Sequence, residues 1–414
     1  FEPLFPLIKK EVHFMKAIQK VLSLLLAAVC LFSLPACSGQ APVASETDTV
    51  PSQSAQSGCV SSGHPEPREE GAIAITDENV RFLGRVAYLE DRAAYMLGWT
   101  QSGIEFRFHG TGAALKMQAT TRTMPNASPY IQVFIDGEQD PSLGEKIQVM
   151  KGDAAWVTIA EGLPAGEHTV KVVKSTQNAY NQIALTDIRL SDGGELLDPP
   201  PAKERLIEAF GDSILCGIDI LSSADKEVYD PSCEDGYLTY PAEIARRLDA
   251  DINMLCASGW GMWKTLSAIR TDIDVNMAVP SLYPYTDLFN DKSQQKWDFT
   301  RPADVVIVSL GTNDRDAVLA EGEDGPAQYE QAAKAFAQSI RAENPDAAII
   351  FTMGLIIDDL YPNLENVVRE LNESGDTNVY SFRHEYGNEG HPRVDVNLRE
   401  AERLADFIRE VKNW

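Results

Sequence analysis

The sequence predicts two folded parts of different class. An all-β sandwich spans residues 72–198, and an α/β domain, three layers around a five-stranded parallel sheet, spans residues 203–414. Three observations predict this. Over residues 72–197 short segments alternate apolar and polar residues, with turn signals between them and no good helical run. Asp198-Pro199-Pro200-Pro201-Ala202 is then a stiff break. Beyond it, compact apolar runs alternate with segments whose apolar residues recur at helical spacing.

In chain order, residues 1–37 form a leader. Residues 1–14 precede Met15 and read as sequence upstream of the start. Lys16 and Lys20 then give a basic head, and 21–32 an apolar core too short to span a bilayer comfortably. Residues 38–71, rich in Ser, Pro, Gln, Glu and Gly, cannot bury enough apolar surface to fold and read as a tether. In the sandwich, 104–109 alternates Ile, Phe, Phe with Glu, Arg, His. Residues 130–135 lead into Asp136-Gly137, a hairpin-type turn, and 156–160 and 168–173 continue the style. His109 and His168 sit at strand positions and read as structural.

In the second domain the expected strands are 206–210, 252–255, 305–308, 347–351 and 379–382. The run 305–308 is wholly apolar, as buried parallel strands are. Helices are expected over 237–248, from Tyr329 through Ile340, from Leu364 through Leu371 before Gly375, and from Leu398 through Val411. The 44% hydrophobic content suits a globular chain of two cores. A net charge of −26 reads as solubility and disfavours nucleic acid as a partner. Cys216, Cys233 and Cys256 are odd in number, so their pairing stays open, and their spacing fits no zinc pattern. No metal or cofactor is expected.

Four stations line up on strand ends, where an open parallel sheet places its reactive crevice. Gly211-Asp212-Ser213 follows the first strand, Ala257-Ser258-Gly259-Trp260-Gly261 the second, and Gly311-Thr312-Asn313-Asp314 the third. Asn388-Glu389-Gly390-His391-Pro392 precedes the last helix. Ser213 is the candidate nucleophile, and a hydroxyl needs a base to take its proton. Leader, tether and sandwich account for four of the six histidines, leaving His384 and His391.

The set Gly211-Asp212-Ser213, Gly259, Gly311-Thr312-Asn313-Asp314 and His391-Pro392 resembles the SGNH (GDSL) hydrolases over residues 203–414. The sandwich in front, Gly211 to Gly217 (Gly-Asp-Ser-Ile-Leu-Cys-Gly), Gly236 to Pro241 (Gly-Tyr-Leu-Thr-Tyr-Pro) and Trp297-Asp298-Phe299 are similar to family 2 of the carbohydrate esterases. That resemblance implies a jelly roll followed by an SGNH domain, and removal of acetyl groups from polysaccharide. It implies Ser213 as nucleophile, His391 as base, and an oxyanion hole of the Ser213 and Gly259 amides with the Asn313 side chain. Many SGNH enzymes carry Asp three residues before the histidine, where this chain has Asn388. Glu389, a backbone carbonyl (a Ser–His dyad) or Asn388 are then the candidates to orient His391, with Glu389 favoured. Asp212 and Asp314 read as supports. Trp260 and Trp263 are candidates for stacking on a sugar face, against the alternative of core packing.

Leu34-Pro35-Ala36-Cys37 resembles the lipobox of bacterial lipoproteins, with plain secretion after Ala36 as the alternative. The resemblance implies a lipidated Cys37 and a membrane anchor, with Ser38 suiting the outer membrane of a Gram-negative host. Two other functions compete with the acetyl esterase. One is a glycan-binding surface protein with weak catalysis; the other is a short-chain lipase or thioesterase of the same fold.

Overall fold

The computed structural model describes residues 68–414, apart from 123, 125, 138, 143, 267–276, 288, 290–294 and 386–389. The leader, Cys37 and nearly all of the tether lie outside the described residues, as do Asn388 and Glu389. Folded structure begins before residue 72. Arg68 pairs with Asp187 at 2.9 Å, and the Glu69 carboxylate accepts bonds from Lys116, Trp156 and Arg189. These charges fasten the end of the tether to the sandwich.

Among the described residues twelve strands build the first domain: β1 (Ala72–Ala74), β2 (Arg81–Leu83), β3 (Ala87–Leu89), β4 (Ala94–Leu97), β5 (Gly103–Gly110), β6 (Ala113–Thr121), β7 (Tyr130–Ile135), β8 (Glu145–Gln148), β9 (Ala155–Ala160), β10 (Gly166–Lys174), β11 (Asn181–Leu190) and β12 (Glu195–Leu197). They pair antiparallel in two sheets. One runs β3-β4-β11-β6-β9 with β1 on β11, the other β12-β5-β10-β7-β8 with β2 on β5. The alternation read in 104–109 explains the packing: Ile104, Phe106 and Phe108 are fully buried, while Glu105, Arg107 and His109 face outward. Asp136 and Gly137 take φ of 54° and 78°, but β8 starts only at Glu145, so they open a longer loop than a tight hairpin. Asp136 is instead engaged with buried His168, at 2.9 Å from Nδ1, while Nε2 donates to the Pro164 carbonyl. His168 is therefore a strut of the sandwich.

The second domain holds β13 (Arg205–Gly211), β14 (Ala250–Cys256), β15 (Val305–Ser309), β16 (Ala348–Met353) and β17 (Val379–Arg383). They form a parallel sheet in the order β14-β13-β15-β16-β17. Its helices are α1 (Ser213–Cys216), α2 (Tyr240–Arg247), α3 (Arg315–Ala320), α4 (Gly325–Glu343), α5 (Tyr361–Glu373) and α6 (Val394–Lys412). The helix expected over 237–248 starts late because Tyr237 belongs to a 3-10 turn and Pro241 opens α2. Strand β13 shows how the layers arise. Its Ile207 and Ala209 pack under α2 and α6, and its Leu206 and Phe210 pack on the other side under α4 and α5. The strand order reverses beside β13, so the crevice at the carboxyl ends of β13, β14 and β15 is the switch point of the sheet.

Glu208, on the same face as Phe210, is buried against Arg85 of the sandwich at 3.0 Å. The Arg85 guanidinium also donates to the carbonyls of Tyr283 and Tyr285. A buried ion pair is tolerable only with such extra bonds, because desolvation alone costs several kcal/mol per ion. Residues 174–178, at the end of β10, are wholly buried where the sandwich meets the second domain.

Candidate active site

Ser213 is the first residue of α1, two residues past Gly211, the last residue of β13. Asp212 caps that helix, its Oδ1 accepting the Ile214 amide at 3.0 Å. Gly211 lies in the extended backbone of β13, and the need for glycine there is steric. A Cβ there would lie 2.6 Å from Leu215 Cδ2.

The Ser213 hydroxyl lies 2.9 Å from Nε2 of His391. On the other side of the ring, Nδ1 lies 3.1 Å from Oδ2 of Asp225. The His391 amide donates to the same carboxylate at 3.1 and 3.2 Å. Arg393 Nη2 donates to Asp225 Oδ1 at 2.7 Å, and its Nη1 to the Asp219 carbonyl. Partial burial works to raise the Asp225 carboxyl, but the bonds from Arg393 and His391 outweigh it and hold it below the usual carboxylate range. Gly390 makes this approach possible. Its φ is 85°, and a Cβ would meet the Asp225 carboxylate at 2.6 Å.

The group at Nδ1 is thus a carboxylate from a distant loop, in place of the expected Glu389. Glu389 and Asn388 lie outside the described residues. A carboxylate at Nδ1 fixes the tautomer in which Nε2 accepts, so the set can take a proton from Ser213.

Gly259 follows β14 at φ 81°, a conformation only glycine adopts readily. Neither its amide nor that of Ser213 has an acceptor among the described residues, so both can serve an oxyanion. Asn313, beyond β15, donates from Nδ2 to Asp212 Oδ2 at 3.1 Å and to the Trp260 carbonyl at 3.0 Å. It thereby ties the Ser213 turn to the Gly259 loop. Both amide hydrogens are engaged in this resting geometry, so service to an oxyanion requires one to turn from its present acceptor. Burial, with the Asp314 charge adding to it, pushes the Asp212 carboxyl up to about 7. Asp314 accepts the amides of Met262, Trp263 and Lys264 and is raised by burial to about 6. Both acids are supports of the loops, in contact with no hydroxyl of Ser213.

Residues 82–200 match the model of the carbohydrate esterase 2 N-terminal domain, and residues 209–412 that of the GDSL-like lipase/acylhydrolase family. The chain carries the two domains of a family 2 carbohydrate esterase. It is 26% identical over 353 residues to an acetylxylan esterase / glucomannan deacetylase of Cellvibrio japonicus, covering 83% of this chain and 91% of that one. It is 27% identical over 329 residues to the cellulase/esterase CelE of Acetivibrio thermocellus, covering 76% of this chain but only 38% of CelE. Among solved structures, a family two carbohydrate esterase from Clostridium thermocellum in complex with cellohexaose superposes with a TM-score of 0.70 at 25% identity. The match covers 81% of this chain and 99% of that one.

Within the family 2 domain pair, Trp260 is 1% exposed and packs edge-on against Phe289, so it belongs to the core and offers no face to a sugar. It lies four residues past the end of β14, and of the two alternatives its ring takes core packing, in one cluster with Phe210, Tyr283 and Phe336. Trp263 is half-buried, with Lys264 Nζ 4.1 Å from its ring. His384 is buried away from Ser213, with Nδ1 on Glu400 at 3.2 Å; burial lowers its basicity despite that partner. Asp219, Asp225 and His391 bring donor atoms within 4.8 Å of one another, as a metal set would. Asp219 Oδ2 accepts the Lys226 amide, the two Asp225 oxygens meet Arg393 and His391 Nδ1, and His391 Nε2 meets Ser213.

Sequence reading missed a second contributor. Gln177 of the sandwich accepts the Ser258 amide at 3.1 Å through Oε1, and its backbone N–H donates to Glu234 at 3.0 Å. The signal was the polar run Ser175-Thr176-Gln177-Asn178 directly after an apolar strand, where an ordinary turn would be exposed.

Proposed function

We propose that the chain is a serine esterase that removes O-acetyl groups from polysaccharides or oligosaccharides through an acyl-enzyme. The observation that carries this reading is the Ser213–His391–Asp225 relay at the switch point of the sheet. His391 takes the hydroxyl proton as Ser213 Oγ attacks the acetyl carbonyl carbon. The carbonyl oxygen becomes an oxyanion, held by the amides of Ser213 and Gly259, with Asn313 turning one N–H toward it. His391 then gives its proton to the departing sugar oxygen. A water attacks the acetyl-serine with His391 again as base, and acetate leaves. Asp225 compensates the imidazolium charge throughout.

The substrate class is supported by the relatives' names, since deacetylation of xylan or glucomannan is stated of the Cellvibrio protein. We further propose that Cys37 is lipidated and anchors the protein to a bacterial membrane, with 38–67 as the spacer. Among the described residues no helix is long and apolar enough to cross a membrane.

The test is acetate release from acetylated xylan, glucomannan and cello-oligosaccharides. Ser213→Ala should lower turnover by a factor on the order of 10⁴ or more. Release by the variant at the wild-type rate removes the mechanism. Faster cleavage of long-chain than of acetyl nitrophenyl esters favours a lipase.

A further inference from the structure

A cavity of about 260 Å³ lies in the seam between the two domains, well away from Ser213. Its walls include Leu206 at the start of β13 and Ala250 to Asn253 in the first half of β14. Ser213 lies past the far end of β13, and seven strand residues span roughly 20 Å at ~3.3 Å each. The cavity therefore sits at the opposite end of the sheet from the catalytic crevice.

Its lining is mixed in a particular way. Phe134, Tyr237 and Trp297 supply aromatic surface. Among the cations, Arg81 pairs with Glu105 and Asp251, Arg301 with Asp251, Arg246 with Glu243, and Lys203 with Asp249. Lys171 differs. Among the described residues its Nζ makes no ion pair and stands 5.4 Å from the Tyr237 ring. Burial brings this amine down to about 8, with the nearby charges of Lys203, Arg246 and Arg81 adding to the fall and Glu105, its cross-strand neighbour, opposing it. Gln101, 4% exposed, also lines the cavity, and its Nε2 is buried with no acceptor among the described residues. Its backbone is held at φ 65°, with its amide on the Lys174 carbonyl. A strained residue bearing an unused buried donor is what a ligand site uses and what plain packing avoids.

We propose that this seam is a second sugar site that takes a carboxylated sugar ring, a uronic acid, with Lys171 at the carboxylate and Gln101, whose Nε2 lies just beneath the wall, turning its amide to a ring oxygen. The size fits one ring: the cavity is smaller than the ~300–1,000 Å³ of pockets for drug-sized ligands. Aromatic walls with a few fixed polar groups suit a sugar, and the lone amine asks for an anion. The sugar class rests on the reading of the chain as a polysaccharide esterase; the amine and the amide do not. Binding here is measured without turnover, so failure of this site and failure of the esterase reading are told apart.

The experiment is calorimetric titration of the full chain carrying Ser213→Ala with sodium glucuronate, glucose, acetate and inorganic phosphate. Glucuronate should bind saturably at one site, with glucose, acetate and phosphate each at least ten-fold weaker. Adding Lys171→Met should weaken glucuronate at least ten-fold, with folding checked by the melting temperature. Gln101→Asn, which shortens the donor and tolerates the same φ, should weaken it several-fold and carries the test if Lys171→Met does not fold. Equal binding of glucose overturns the carboxylate, and equal binding of acetate or phosphate overturns the ring. No glucuronate binding, or binding unchanged in both variants, overturns the site.

Discussion

Replacing Asp225 tests the relay most sharply, because the sequence did not point to it. Its Oδ2 is 3.1 Å from His391 Nδ1. A unit charge pair at this range is worth ~1–5 kcal/mol between bulk water and an effective dielectric of ~20. The Asp225 side chain is 41% exposed, and Arg393 draws on its other oxygen at 2.7 Å. Solvent screening and that competing cation place the value in the lower half, ~2 kcal/mol. At 1.36 kcal/mol per tenfold, Asp225→Ala should lower kcat about 30-fold. Asp225→Asn should cost more, ~10³-fold, because its amide can donate to Nδ1 and move the ring proton to Nε2, which blocks the base. Glu389→Gln should leave the rate unchanged. Steady-state kinetics on nitrophenyl acetate at one fixed pH measures all of this. Turnover within threefold of wild type in both Asp225 variants refutes the relay.

Asn313→Ala should lower kcat by ~10³, the upper end for one oxyanion donor, since it also releases Asp212 and the Trp260 carbonyl. A rise in KM alone would make Asn313 a binding residue. Asp212→Asn should shift stability with pH. The Asp212 carboxyl rises from 3.8 to about 7 on folding, so the folded state is penalised as pH rises through that window, by up to ~4 kcal/mol above it. The variant should gain in melting temperature relative to wild type between pH 4 and pH 8, and an equal gap at both ends contradicts the burial argument. Cys37→Ser should move the protein out of the membrane fraction with catalysis intact, whereas membrane retention assigns the anchor elsewhere. EDTA should leave acetate release unchanged; loss that zinc restores would recast Asp219, Asp225 and His391 as ligands.

The sheet was legible because its strands are buried on both faces. Runs such as Val305-Val306-Ile307-Val308 have no other stable use, and the glycine, serine and asparagine stations fall directly after them. The sandwich was legible from alternation, as in β5. Asp225 was not legible, because a search for the acid next to His391 presumes that neighbours in sequence are neighbours at the ring. Here the acid arrives from 166 residues away, on a loop whose own sequence, Ser-Ala-Asp-Lys, reads as an exposed turn. Trp260 failed differently. An aromatic beside a catalytic glycine fits sugar stacking and core packing equally, and only the direction of the loop decides.

The same geometry explains why a β-sandwich precedes the hydrolase at all. The loop between β10 and β11 reaches two of the three loops that make the site. Gln177 holds the Ser258 amide beside Gly259 and the carboxylate of Glu234. Tyr180 packs on Tyr229, with ring centroids 4.5 Å apart, and Tyr229 in turn bonds Glu234 in the loop that carries Asp225. The Ser175 carbonyl accepts the Gly236 amide, and the Gln132 side-chain amide donates to Asp235 at 2.7 Å. The groups bonded across the seam, Gln177 with Ser258 and Glu234, Ser175 with Gly236 and Gln132 with Asp235, are buried, so each would lose its partner if the hydrolase stood alone, at ~1–3 kcal/mol apiece. Loss of position matters more than the sum. The Gly259 amide and the Asp225 carboxylate both serve Ser213, and both loops are braced from the sandwich as well as by Asn313, Asp314 and Arg393 of the hydrolase. The sandwich is therefore a structural part of the catalytic site, and substitutions at Gln177 or Tyr180 belong with those at the site itself.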